Sequence, residues 1–232
     1  MASAATDVQL SGPEGEFGAY RAAPDATPAP GVVVIQEIFG VNAHIRDVCD
    51  RLADAGYLAL APDVFHRQAP GVQLGYEGAD MQRGFELMQG LDHELALADL
   101  GACIDVLRAD ADCSGKVAVM GFCMGGLLTW RAAAWHAPDA AVSYYGGGIV
   151  NVLGEAAGID CPILLHFGER DAHIPAEAVQ QVRGAVADQP HAAVHTYAAD
   201  HGFNCDRRGS YDAAAAQLAW QRSMDFLGTH LR

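Results

Sequence analysis

A cysteine occupies the middle of a turn between glycines, Gly121-Phe122-Cys123-Met124-Gly125. An apolar run precedes it and another follows, as expected for a nucleophile on a sharp turn between a strand and a helix. A helix that starts at Met124 would direct its N-terminal N–H groups at Cys123. Those groups would lower the pKa of the thiol and stabilise an oxyanion. The alternative is that Cys123 is a small, buried apolar residue.

A nucleophile of this kind needs a base, and the base needs a carboxylate that orients it. On such turns the acid and then the histidine follow the nucleophile along the chain. Asp171 follows the apolar run 162–168, and His201 follows the run 192–198. The other nearby histidines fit less well, because they precede the last strand, lie within it or lie in the loop beside Asp171: His191, His195 and His173.

Glu37 ends the first apolar run, 31–37, and would face the same crevice as Cys123. Apolar surroundings would raise its pKa, so that it could hold a proton or take one from a thiol. The alternative is a solvated charge at a strand end. The backbone N–H of Ile38 is a candidate for an oxyanion hole, paired with the N–H of Met124.

Strands and helices alternate along almost the whole chain. This predicts an α/β protein with a mostly parallel central sheet and helices on both faces. Such a sheet places sites at the carboxyl ends of its strands. We expect one domain over 1–232, with an N-terminal hairpin and linker in 1–30. Beyond the runs named above, the predicted strands are 57–63, 116–122 and 140–146. The closing helix is predicted over 212–227, with an inward stripe of Ala216, Trp220, Met224 and Leu227.

The composition limits the partners. The net charge is −15, from 29 acidic and 14 basic residues, so nucleic acid and anionic membranes are poor partners. No secretory signal or membrane-spanning apolar run is apparent. The six cysteines are scattered, which predicts neither a disulfide framework nor a metal site. We therefore expect a cytoplasmic protein with reduced thiols and no cofactor.

Six segments in order, QEIFGVN, RQAPG, GFCMGG, YYGGG, GERDAHIP and DHGF, resemble the dienelactone hydrolase (carboxymethylenebutenolidase) family. The resemblance extends from about residue 31 to the C-terminus. It implies an α/β-hydrolase fold. It also implies an enzyme that hydrolyses a small lactone or ester, such as dienelactone, through an acyl-thioester. It also implies a triad of Cys123, His201 and Asp171. Substrate binding would displace Glu37, which then takes the thiol proton. The oxyanion donors would be the N–H groups of Ile38 and Met124.

The chain departs from that family at two positions. The dienelactone enzymes hold the substrate carboxylate with two arginines, and ungapped matching places these on Met81 and Cys205. Three nearby arginines could replace them or could be ordinary surface charges: Arg83, Arg207 and Arg208. Several apolar residues could line a pocket for another ester or lactone, or could be core: Phe39, Phe85, Met88, Tyr144 and Tyr145.

Two other functions stay open at this stage. The chain could be a non-catalytic α/β-hydrolase fold that binds a ligand or a protein partner. It could also be a thiol redox sensor, in which Cys205 would resolve an oxidised Cys123. The sequence does not decide the oligomeric state.

Overall fold

The computed structural model describes residues 4–232, which divide into two compact units, one ending at Val119 and the other spanning Met120–Arg232. Residues 1–3, where the predicted N-terminal region begins, lie outside the described residues. The single-domain organisation stays a prediction. The first unit begins with the expected hairpin, in which β1 (Ala4–Gly12) pairs antiparallel with β2 (Gly15–Ala23).

The first unit continues with β3 (Ala29–Ile35) and β4 (Leu58–Pro62). These two strands are parallel, while β2 and β4 are antiparallel, which gives the order β1-β2-β4-β3. β3 ends two residues before Glu37, so Gln36 and Glu37 belong to the loop rather than to the predicted strand 31–37.

Three helices complete the first unit: α1 (Ala43–Asp54), α2 (Gly78–Gln89) and α3 (His93–Ala109). Asn42 caps α1, because its Oδ1 accepts hydrogen bonds from the backbone N–H of His44 at 3.2 Å and of Ile45 at 3.4 Å. α1 and α3 each bury one apolar stripe, and both helices contact strands of this unit.

β5 (Cys113–Phe122) runs from the first unit into the second, and in the strand order of the sheet it lies between β3 and β6. β6 (Ala140–Tyr144), β7 (Ile163–Gly168) and β8 (Ala192–Tyr197) follow as parallel neighbours. The helices of the second unit are α4 (Met124–His136), α5 (Ala176–Ala185) and α6 (Ala213–Leu231). Two 3-10 turns were not predicted, Ile149–Asn151 and Leu153–Gly158.

Every residue of β4, β6 and β7 is buried. Strands that are buried throughout must be covered on both faces, which is typical of parallel sheets flanked by helices. This agrees with the predicted fold class.

The predicted inward stripe of α6 was wrong in two places, since Trp220 and Met224 are only half-buried. The helix instead buries Ala219 and Ser223 between Ala216 and Leu227. The prediction counted apolar side chains, whereas the buried position is held by Ser223 through hydrogen bonds.

Candidate active site

The turn that carries Cys123 has the geometry predicted for it. β5 ends at Phe122, α4 begins at Met124, and Cys123 between them has φ 55° and ψ −116°. A positive φ is costly for a residue with a side chain, so the surrounding structure must hold it in place. A Cβ on Gly121 would collide with the carbonyl group of Gly125, which explains why the turn needs glycine there.

Cys123, His201 and Asp171 lie in contact within the second unit. Nε2 of His201 is 3.0 Å from Sγ of Cys123, and Nδ1 of the same ring is 2.7 Å from Oδ2 of Asp171. The other carboxylate oxygen of Asp171 accepts the backbone N–H groups of His173 at 2.8 Å and Ile174 at 3.2 Å. Both oxygens of the buried carboxylate therefore have partners, and one of them is directed at the imidazole.

The surroundings of His201 favour its charged form. Burial acts to lower the pKa of His201, but the hydrogen bonds with Asp171 and Cys123 and their negative charges outweigh it. Together they raise the pKa of His201 to about 10. A protonated imidazole at this position would place its positive charge beside the sulfur of Cys123.

The ring of His201 contacts the rings of Tyr145 and His173. The Tyr145 ring meets the His201 ring edge to face, with 5.1 Å between centroids, and Phe203 packs on Tyr145 at 5.3 Å. Tyr145 is fully buried and has φ 37°, another strained backbone position. The exposed His173 also lies with its ring 5.1 Å from that of His201. Of the predicted apolar residues, Tyr145 is thus beside the base, whereas Tyr144 stacks on Phe122.

Arg208 lies beside the turn that follows the histidine. Gly202 has φ 79°, and a Cβ there would lie only 2.5 Å from Nη1 of Arg208, so the guanidinium packs against the backbone of residue 202. Arg208 is half-buried and Arg207 is exposed. Cys205, at the position where the family has an arginine, is fully buried.

The first unit holds the other predicted residues. Glu37, Ile38 and Phe39 follow β3, and all three are buried. The segment is tightly packed: Phe39 contacts Tyr76 edge to face at 4.5 Å, and a Cβ on Gly40 would collide with the carbonyl of residue 72. The roles predicted for Glu37 and Ile38 stay predictions.

Two of the three predicted residues on α2, Arg83 and Phe85, are exposed at the surface of the first unit. Arg83 is exposed and pairs with Glu86 at 3.1 Å, and Phe85 is 40% exposed. Met81 and Met88, on the same helix, are half-buried. Their roles in substrate binding also stay predictions.

Sequence reasoning missed a set of buried polar residues in the second unit: Ser223, His166 and Tyr197. Two signals were available. His166 interrupts the apolar strand ILLHFG, and Ser223 falls at the spacing of the apolar stripe of α6. Buried polar side chains are nearly always hydrogen-bonded, so each of these positions predicts a hydrogen-bond partner elsewhere in the chain.

The mostly parallel sheet and the strand–cysteine–helix turn define a protein with an α/β-hydrolase fold. A family model described as the dienelactone hydrolase family matches residues 17–231. The chain belongs to this family, as the resemblance implied. It is therefore a hydrolase that acts on ester or lactone bonds.

Individual relatives agree with this assignment. The carboxymethylenebutenolidase of Pseudomonas putida is 38% identical over 213 residues, which are 91% of this chain and 90% of the relative. A structure from Klebsiella pneumoniae subsp. pneumoniae titled "Putative Dienelactone Hydrolase" is 34% identical with a TM-score of 0.89, and the match covers 98% of this chain and 99% of that one. The dienelactone hydrolase-like promiscuous phosphotriesterase P91 from metagenomic libraries is 28% identical with a TM-score of 0.86, and the match covers 100% of both chains.

None of the helices among residues 4–232 has the length and apolar character required to cross a lipid bilayer.

Proposed function

We propose that this chain hydrolyses a small lactone through an acyl-thioester on Cys123, with His201 as the imidazole that stabilises the thiolate and Asp171 as the carboxylate that orients it. The observation that carries the proposal is the aligned pair of contacts at His201, 3.0 Å to Sγ of Cys123 and 2.7 Å to Oδ2 of Asp171. An imidazole bound in this way has one nitrogen for the nucleophile and the other fixed by the acid.

The first step is attack by the sulfur on the lactone carbonyl carbon. The thiol proton must leave first, and a protonated His201 stabilises the thiolate that remains. The carbon–sulfur bond forms as the carbonyl π electrons move onto oxygen. The backbone N–H of Met124, at the start of α4, is one proposed donor to that oxyanion, and the N–H of Ile38 is the other.

The second step opens the ring. The oxyanion re-forms the carbonyl as the ring carbon–oxygen bond breaks, which leaves an acyl-thioester and an enolate. The enolate takes a proton from water, and the hydroxide attacks the thioester carbon. The carbon–sulfur bond then breaks, which releases the product acid, whose proton passes to solvent, and leaves the thiolate. Glu37 returns its proton to that thiolate and so restores the resting thiol. With a substrate that gives no enolate, His201 would have to activate the water.

We propose Glu37 as the group that takes the thiol proton. It is 1% exposed and follows a strand end. This role rests on the family pattern in the sequence, in which substrate binding moves the glutamate away from the thiol.

We propose a lactone that carries a carboxylate as the substrate. The support is the name carboxymethylenebutenolidase of the relatives and the position of Arg208 against Gly202, next to His201. A guanidinium matches a carboxylate with two parallel hydrogen bonds. Arg208 could therefore replace the arginine that is absent at Cys205.

A substrate screen with variants tests the proposal. The wild type, Cys123→Ala and Cys123→Ser would be assayed with cis- and trans-dienelactone and with a neutral aryl ester. We expect turnover by the wild type, none by Cys123→Ala, and a preference for the carboxylated lactones. An equal rate for neutral and carboxylated substrates would remove the carboxylate from the proposal. Unchanged turnover by Cys123→Ala would refute Cys123 as the nucleophile, and no turnover by the wild type would favour a ligand-binding role.

The cytoplasmic location and the absence of nucleic-acid partners stay predictions of the sequence.

A further inference from the structure

A chain of buried hydrogen bonds joins α6 to three strands of the second unit. Oγ of Ser223 lies 2.7 Å from the Tyr144 hydroxyl, at the end of β6, and 3.0 Å from Nε2 of His166, on β7. Nδ1 of His166 is 2.8 Å from the hydroxyl of Tyr197, at the end of β8. Arg222 donates to that hydroxyl at 3.1 Å. Ser223, Tyr144 and His166 are fully buried, so water does not compete for these bonds.

One assignment of the protons lets every contact in this chain act as a hydrogen bond. The Ser223 hydroxyl donates to the carbonyl of Ala219 at 2.9 Å, so its oxygen accepts from both Tyr144 and His166. His166 then carries its proton on Nε2, and its bare Nδ1 accepts the hydroxyl of Tyr197. Burial holds the pKa of His166 well below its usual value, which agrees with a neutral ring. Ser223 is therefore the common acceptor on which two donors converge.

Tyr144 connects this chain to the nucleophile. Its carbonyl accepts the backbone N–H of Cys123 at 3.0 Å, and its ring stacks on Phe122 with centroids 4.8 Å apart. The next N–H, that of Tyr145, donates to the carbonyl of His166 at 2.7 Å. The peptide between residues 144 and 145 thus holds Cys123 on one side and β7 on the other. Because Cys123 has a positive φ, it depends on such contacts to keep its position.

Tyr197 connects the same chain to the acid and the base. Its carbonyl accepts the backbone N–H of Glu169 and of Ala199, each at 2.7 Å. Asp171 lies two residues after Glu169, and His201 lies two residues after Ala199. The hydrogen-bonded side chains therefore lie on β6, β7 and β8. The end of β6 contacts Cys123, and the ends of β7 and β8 precede Asp171 and His201.

We propose that Ser223 is a positioning residue for hydrolysis: through Tyr144 it fixes the backbone of Cys123, and through His166 and Tyr197 it fixes the strand ends that lead to Asp171 and His201. The inference rests on the proposed function, because it takes Cys123 as the nucleophile. It assigns no contact with substrate to Ser223.

Two variants and one matched control test this role. Ser223→Ala removes the common acceptor, and Tyr144→Phe removes one donor while leaving the bond between Ser223 and His166. Tyr20→Phe is the control, since it also removes one tyrosine hydroxyl, which bonds Asp50 at 2.8 Å in the first unit. Ester turnover and the rate of alkylation at Cys123 by iodoacetamide would be measured well below the Tm of each variant.

We expect kcat to fall by about tenfold or more in both variants, with KM changed by less than about twofold, because misplacement of reacting groups slows the chemical step. Alkylation of Cys123 should slow in the same variants, and Tyr20→Phe should keep both rates. If Ser223→Ala does not fold, Tyr144→Phe decides the question. A lower Tm with wild-type kcat and alkylation rate would overturn the inference and leave only a structural role.

Failure of the proposed function would have a different signature. In that case Cys123→Ala would keep the turnover of the wild type, or the wild type would turn over none of the esters and lactones. The alkylation rates would still report whether the chain of hydrogen bonds positions Cys123.

Discussion

Nδ1 of His201 lies 2.7 Å from Oδ2 of Asp171, and that carboxylate is closed on its other side by two backbone N–H groups of its own loop. The acid therefore has one free direction, toward the imidazole. This contact and the contact between His201 and Cys123 both raise the pKa of His201, and together they outweigh burial, which lowers it. The charge of the imidazole is thus a property that substitution at Asp171 should change.

Asp171→Asn should lower the pKa of His201 from its value of about 10, because an amide supplies no negative charge to stabilise the imidazolium. Turnover should fall by about 10³-fold or more, since the amide also favours the wrong tautomer of the ring. The pKa would be followed by NMR titration of the His201 ring in both proteins. An unchanged titration would contradict the role given to this carboxylate.

The stability of the protein should depend on pH through His201. Because its pKa is raised from 6.5 in the folded state, the folded protein binds this proton more tightly than the unfolded chain does. The resulting stabilisation is complete below about pH 6.5 and is lost as the pH rises toward 10. We expect the free energy of unfolding of the wild type to approach that of His201→Gln over this range. Parallel pH profiles for the two proteins would refute the prediction.

Iodoacetamide should alkylate Cys123 before the other five cysteines. Burial raises the pKa of Cys161 to about 12 and holds the pKa of Cys49 and of Cys103 above its usual range. Cys113 and Cys205 are also buried. Peptide mapping after brief treatment would identify the labelled site, with Cys123→Ala as the control. Labelling of another cysteine at the same rate would argue against an activated thiol.

Arg208→Gln should weaken the enzyme selectively toward carboxylated lactones. Loss of a charge-assisted pair should lower kcat/KM for dienelactone by about 10- to 100-fold. The rate with a neutral aryl ester should stay close to that of the wild type. Arg207→Gln is the matched control, because Arg207 is the neighbouring arginine and its side chain is exposed. Equal effects of both variants on both substrates would assign Arg208 a structural role.

The sequence predicted the triad residues because each lies within three residues of the end of an apolar run, and the structure brings Cys123, Asp171 and His201 into contact. The alternation of strands and helices was predicted for a similar reason, since local apolar runs and helical spacing distinguish the two kinds of element. Both predictions use information that lies within a few residues along the chain.

Ser223 and His166 escaped prediction because their partners are distant in the chain. From the sequence alone, a serine in an apolar stripe is a poor candidate for burial. Its burial is explained only once the hydrogen bonds with Tyr144 and His166 are known. The same limit explains why Trp220 was expected to face inward on α6. Hydrophobicity ranked it above Ser223, whereas the buried hydrogen bonds favour the serine.

Gly121→Ala should destabilise the protein far more than Gly147→Ala. A Cβ on Gly121 would overlap the carbonyl group of Gly125 and approach the hydroxyl of Thr129, whereas a Cβ on Gly147 would have no heavy atom within 4 Å. Neither glycine has a positive φ, so the comparison isolates the steric cost. Overpacking of this kind costs about 3 kcal/mol, which lowers Tm by roughly 6–12 °C in a chain of this length. Thermal unfolding of the two variants measures the difference. Similar Tm values would mean that the turn can open by about the width of a methyl group, and that its tight closure is not what holds Cys123 beside His201.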